Sequence, residues 1–211
     1  MANDNFPRGL IPRDYPYHAG HWYRVSTAAD VYLGQPVQLD ATGYIVGIGT
    51  PTGVTLSIGV ASNFSGPNKA GLAGPDPFLD VSDLTPPSNG EPSGDRWVFV
   101  ADDPEQLYLV QEDTGGSALT LADQFAACDL LWRGAGAAIV NGNDNSGWGN
   151  LELDRSAVVT TTAAFVQIVQ LHDSTNQDGS ANAPGNYGKW VVRLLHHSYR
   201  WAAPAAGIPV V

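Results

Sequence analysis

Five acidic residues, Asp102, Asp103, Glu105, Glu112 and Asp113, lie close together in the chain. Carboxylates gathered at a strand end can hold calcium or supply the acid and base of a glycosidase. Asp102-Asp103-Pro104-Glu105 is also ordinary turn chemistry, and a solvated hairpin turn is the expected reading. The segment Asn141-Gly142-Asn143-Asp144-Asn145-Ser146-Gly147 has a calcium-loop flavour but only one carboxylate, and it lacks the closing bidentate glutamate. His196 and His197 are adjacent, so on a strand they point to opposite faces and do not chelate together. His18 and His21 sit in an aromatic N-terminal stretch, and no H-E-x-x-H pattern or cysteine pair is present. Gly47-Ile48-Gly49 follows a strand-like run without the further glycine spacing or the helix that phosphate binding needs. There is no G-x-S-x-G elbow. The expectation is a protein that is not an enzyme and needs no metal or cofactor.

Composition narrows the classes further. The chain has 211 residues, enough for a core that needs no disulfide or metal staple. Its single cysteine, Cys128, lies in an apolar stretch and reads as a buried, inert thiol. The formal net charge is -11, with only 10 Lys and Arg scattered along the chain. A nucleic-acid groove needs clustered cations, so nucleic acid is not an expected partner. An anionic membrane surface is disfavoured for the same reason, and no apolar run is long enough to span a bilayer. The start, Met1 to Asn5, lacks the basic and apolar stretches of a signal peptide.

The elements that would position these groups read as mainly β, a compact antiparallel β-barrel or sandwich with one short helix, an extended arm and long loops. Residues 1–24 form the arm, because Pro7, Pro12 and Pro16 remove backbone donors. Residues 25–200 form a single β-rich domain, and 201–211 a tail. Strands are expected around Val31–Leu39 and Tyr44–Ile48, with Asp40–Gly43 as the turn between them. Val54 to Val60 alternates with period two, the mark of a half-buried strand. Trp97–Ala101, Gln106–Gln111, Leu151–Asp154, Val158–Leu171 and Lys189–Leu195 carry strand-favouring residues. Thr120 to Asp123 fits a helix N-cap, with Leu121, Phe125 and Cys128 on one helical face. Residues 65–95 are too rich in Pro and Gly for regular structure and form the longest loop.

Aromatic and apolar side chains in the arm, the loop and the tail are then the candidate contact residues. They are Phe6, Leu10, Ile11, Tyr15, Tyr17, Trp22, Phe78, Leu79 and Trp201. Large rigid side chains on irregular backbone often anchor interfaces. The same residues also fit packing against their own domain.

Several blocks, taken in order, carry a resemblance. Met1-Ala2-Asn3 with Phe6-Pro7-Arg8-Gly9-Leu10-Ile11-Pro12 is similar to the opening of small structural proteins of tailed phages. Trp97 to Pro104 followed by Val110-Gln111-Glu112-Asp113 resembles their central block. Leu121 to Phe125, Ala127 to Leu130, Leu151 to Asp154, and Lys189 to Leu194 with His197 resemble the later ones. The resemblance spans most of the chain and excludes the 65–95 loop. It implies a capsid decoration, or cement, protein on the exterior of the virion, made in the host cytoplasm. The implied partners are the major capsid protein and the chain itself, as a homotrimer or a dimer. A tail- or head-fibre-associated role is the alternative within the virion. A carbohydrate-binding module, with tryptophans stacked on sugars, is the alternative outside it.

Overall fold

The computed structural model describes residues 3, 8–13, 19–25, 31–65, 97–133, 149–160 and 163–199. The expectations for residues 66–95, for the tail 201–211, and for Phe6, Tyr15, Tyr17, His18, Phe78, Leu79, Asn141–Gly147 and Trp201 lie outside the described residues.

Among the described residues, eleven strands form two antiparallel sheets. They are β1 (Ile11–Pro12), β2 (His21–Arg24), β3 (Pro36–Leu39), β4 (Ile45–Gly47), β5 (Gly59–Ser65), β6 (Trp97–Ala101), β7 (Leu107–Gln111), β8 (Ala127–Trp132), β9 (Leu151–Val159), β10 (Val166–Leu171) and β11 (Lys189–Leu194). The six-stranded sheet runs β1-β7-β11-β10-β8-β9 and the five-stranded sheet β2-β6-β5-β3-β4. The arrangement is a sandwich rather than a closed barrel. The six-stranded sheet still curls strongly, because β9 returns to β7 through a Glu112–Leu153 bridge and an Asp113 N–H bond to the Leu153 carbonyl at 3.0 Å.

Alternation in the strands sorts side chains between faces. In β7, Tyr108 and Val110 face the inside of the curl, and in β11 Trp190, Val192 and Leu194 join them. Leu130, Leu151, Leu153, Phe165, Val166 and Ile168 complete this main core. A second core of Val25, Val31, Val37, Ile45, Ile58, Ala61, Val98 and Val100 packs on the five-stranded sheet. Asp129 ties the layers together, its Oδ1 accepting from the Gly53 N–H at 2.8 Å and the Phe165 N–H at 2.9 Å.

Several sequence expectations hold locally. Asp40 closes the β3–β4 turn, its Oδ1 accepting from the backbone N–H groups of Thr42 (2.8 Å) and Tyr44 (3.0 Å). Others are corrected. The run from Val54 does not start a strand, since Gly53 and Val54 form a turn held by Asp129, and β5 begins at Gly59. Val158–Leu171 is two strands, because β9 and β10 flank β8 on opposite sides and the chain must cross between them.

The expected helix is also corrected. Thr120 and Asp123 do form a capping box, but the helix lasts one 3-10 turn, Leu121–Asp123. A single turn gains too few bonds to propagate. Phe125 ends it, at a φ of 69°, by donating its N–H to the Ile168 carbonyl at 2.8 Å. Cys128 therefore lies in a strand, buried as expected, and burial pushes its thiol up.

The N-terminal stretch is not a free arm where it is described. β1 joins the six-stranded sheet and β2 the five-stranded one, so residues 8–13 and 19–25 contribute to both layers. Asn3 donates to the carbonyls of Ala183 at 2.8 Å and Asn186 at 3.1 Å. Leu10 is 0% exposed, inside the main core. A close approach makes this possible. Gly9 and Gly34 both have positive φ, and a Cβ on Gly9 would sit 2.5 Å from the Gly34 carbonyl oxygen. That carbonyl accepts the Leu10 N–H at 2.9 Å.

Candidate interaction site

The five acids do not gather into one site. The turn that carries the first three is not a hairpin, because β6 and β7 belong to different sheets and Asp102–Gln106 is the corner between them. Asp103 is the turn former, its Oδ1 accepting from the Glu105 N–H at 2.8 Å. Asp102 is buried instead of solvated. Its carboxylate meets the exposed His21 Nδ1 at 2.8 Å and accepts from the Tyr23 hydroxyl, which in turn contacts the Tyr199 hydroxyl at 2.8 Å. Burial, then the bond to Asp102, pushes the Tyr23 hydroxyl pKa well above its ordinary value.

Glu112 and Asp113 point another way. Glu112 faces the interior of the curl, where its Oε2 accepts from the Trp190 indole at 2.8 Å and its Oε1 lies 3.4 Å from Arg155 Nη1. Asp113 Oδ1 lies 3.5 Å from Arg155 Nε, and the same Nε donates to the Gly115 carbonyl. Arg155 is itself buried. Burial raises Glu112 to about 7, against the pull of Trp190 and Arg155, and it raises Asp113 as well. Glu152, also raised by burial, accepts from Gln111 at 2.6 Å and sits 3.6 Å from Arg133. Each of these carboxyls is engaged by framework groups. Among the described residues no group of His, Cys, Asp and Glu could hold a metal ion. His196 and His197 are buried side by side, and Tyr199 donates its N–H to His197 Nδ1 at 3.2 Å.

The contact residues divide differently. Leu10, expected to touch a partner, is spent on the chain's own core. Ile11 is half-buried in β1. Trp22 remains 44% exposed on β2, an edge of the five-stranded sheet, its ring edge-on to Phe99 at 5.3 Å. Sequence reasoning missed several exposed apolar residues, two of them together at the 3-10 turn. Leu121, 58% exposed, opens the 3-10 turn, and Phe125, 70% exposed, follows it. Their helical spacing argued for a buried face, and the only contrary signal was the strand-favouring run that starts at Ala127. Phe125 also holds a left-handed backbone that an L-phenylalanine adopts only at a cost.

Among the described residues the exposed apolar groups include Trp22 on an edge strand and Leu121 and Phe125 at the 3-10 turn, while Asp102, Glu112 and Asp113 are buried against partners of the chain's own framework. Compared with family models, curated proteins and solved structures, the chain matches none.

Proposed function

We propose that the chain is a structural virion protein that binds the outer surface of a phage capsid and bridges major capsid protein subunits, without catalysing a reaction. The observation that carries the reading is Trp22, a large aromatic left open to solvent on an edge strand of the sandwich. An edge strand offers backbone pairing to another chain, and an exposed tryptophan beside it is the side chain most suited to anchoring one. Phe125 and Leu121 add a second apolar contact of the same kind. The choice of partner rests on the resemblance of the ordered sequence blocks to tailed-phage structural proteins.

The fate of the acids supports a role without chemistry. Asp102, Glu112 and Asp113 are each held by a neighbouring side chain instead of lining a common cleft. Bound only to the assembled shell, such a subunit stabilises that shell by mass action. An oligomer, a trimer or a dimer, gains further through effective concentration. The net charge of -11 suits a face turned to solvent.

The test is the number of copies in purified particles and their loss on Trp22→Ala. A copy number commensurate with the major capsid protein, and an empty shell surface with the folded variant, are expected. A few copies confined to one vertex would assign the chain to the tail or a head fibre. Absence from particles would overturn the reading.

A further inference from the structure

We propose that Asp102 is a positioning residue for Trp22: its buried carboxylate clamps strand β2 to the sandwich and so holds the exposed indole in place for a partner. The inference rests on the reading of Trp22 as a contact residue, and its test separates the two. Strand β2 has little buried surface to hold it. It is four residues long, it lies at the edge of its sheet, and only Tyr23 among its residues is even partly buried. An element that buries so little belongs to the part of a fold that opens most readily.

Alternation places His21 and Tyr23 on one face of β2, and Trp22 and Arg24 on the other. Both side chains of the first face end on Asp102, the residue directly after β6. His21 Nδ1 lies 3.1 and 2.8 Å from the two carboxylate oxygens, and the Tyr23 hydroxyl donates to Oδ2. With its proton given to Asp102, the Tyr23 oxygen is left to accept from the Tyr199 hydroxyl at 2.8 Å. The chain of bonds thus runs on to the segment after β11, a strand of the other sheet.

The exposures show what the clamp is for. The Asp102 side chain is 4% exposed and that of His21 77% exposed. A carboxylate withdrawn from water needs donors, and both come from β2. The His21 ring gains little from burial, so the bond to Asp102 is what orders it. The backbone is equally close, because a Cβ on Gly20 would fall 2.1 Å from the Val100 carbonyl oxygen and the chain enters β2 flush against β6. On the opposite face Trp22 pairs with Phe99, whose ring it meets edge-on at 5.3 Å. Loosening β2 from β6 breaks that contact too, and the indole then has to be ordered on binding, at a cost in affinity.

The experiment measures amide hydrogen exchange of the full chain together with its binding to capsid particles. His21→Ala and Tyr23→Phe each remove one donor to Asp102, and His21→Asn keeps a short N–H donor at that position. The two deletions should each speed exchange of the backbone amides of residues 21–24 about tenfold or more, the worth of one charged hydrogen bond. Strands β7 and β11 should stay as protected as in the parent. Both deletions should weaken particle binding to a similar degree, with Trp22→Ala as the benchmark for loss of the contact, and His21→Asn should recover part of both readings. Unchanged exchange in β2, or a rise spread equally over β7 and β11, would overturn the clamp. Faster exchange with undiminished particle binding, where Trp22→Ala does lose it, would overturn the positioning role and leave the capsid reading standing. Particle binding that ignores Trp22→Ala would sink the capsid reading instead, with the clamp decided by exchange alone.

Discussion

Trp190 donates its indole N–H to Glu112 Oε2 at 2.8 Å inside the curl of the six-stranded sheet. The bond joins the largest side chain of the main core to a carboxyl with no exposure to solvent. Glu112 sits there because β7 runs on past Gln111 to meet Leu153 of β9, which turns the side chain inward along with Tyr108 and Val110. An interior carboxyl of this kind makes the stability of the fold depend on pH.

Glu112 binds its proton more tightly in the folded chain, up to about 7 against an ordinary value of 4.5. A raised folded-state pKa means a contribution present below the unfolded value and lost as pH rises through the folded one. Asp113 and Glu152 shift in the same direction, also through burial. His172, lowered by burial, works the other way, losing stability as pH falls through its ordinary range. Glu112 carries the largest of these effects, so thermal stability should fall on going from mildly acidic to mildly alkaline solution. For Glu112 the change is on the order of 2–3 kcal/mol. Melting curves across that range check it, and Glu112→Gln should flatten the slope. A melting temperature that climbs steadily with pH would refute the assignment.

Arg155 is the only cation that both Glu112 and Asp113 meet in the described salt bridges. Arg155→Met keeps an unbranched apolar stem but is shorter and removes the charge, leaving two buried carboxyls without their cation. A loss of about 3–5 kcal/mol is expected. It should shrink in acid, where the carboxyls protonate, and Glu112→Gln in the same chain should recover part of it. Urea unfolding at two pH values measures both effects, and a loss independent of pH would point to packing alone.

Much of the β framework was legible because it rests on local pattern. β6, β7 and β11 fall where β-branched and aromatic residues alternate, and the β3–β4 turn where Asp40 can accept from its own following backbone. What escaped the sequence depends on partners far along the chain. The Asp102 corner looked like a solvated hairpin because nothing local says that β6 and β7 enter different sheets. The buried Glu112 needs Arg155 and Trp190, both more than forty residues away. Phe125 looked helical until its N–H found the Ile168 carbonyl. The apolar content of the arm was plain, but its destination, the chain's own core at Leu10, was not.

That destination sets a further expectation. Leu10→Ala should cost about 2–5 kcal/mol, as for other fully buried leucines. Gly34→Ala should act on the same contact from the other side, since its Cβ would fall 2.2 Å from the Arg8 carbonyl oxygen at a φ of 78°. Removing residues 1–20 would therefore unsettle the domain as well as any partner contact. Chemical denaturation of the three variants tests this, and a truncated chain as stable as the parent would show that the N-terminal segment is dispensable to the fold.

Phe125 separates a structural role from an interface role by the sign of its effect. Its side chain is 70% exposed, so it contributes little to the core, and its backbone holds a φ of 69°. A left-handed L-residue costs about 1–2 kcal/mol, while glycine there brings an entropic penalty of about 0.5–1 kcal/mol. Phe125→Gly should therefore leave the isolated protein as stable or slightly more so. The Ile168 bond, and the one from Gln167 Nε2 to the Phe125 carbonyl at 3.0 Å, use only backbone atoms of this residue and survive the change. If the exposed ring is kept for a partner, the same variant should bind capsid particles more weakly. Melting temperature and particle co-sedimentation, measured on one preparation, give the two signs. A variant that melts well below the parent would show that the ring supports the fold, and unchanged co-sedimentation would remove Phe125 from the contact surface.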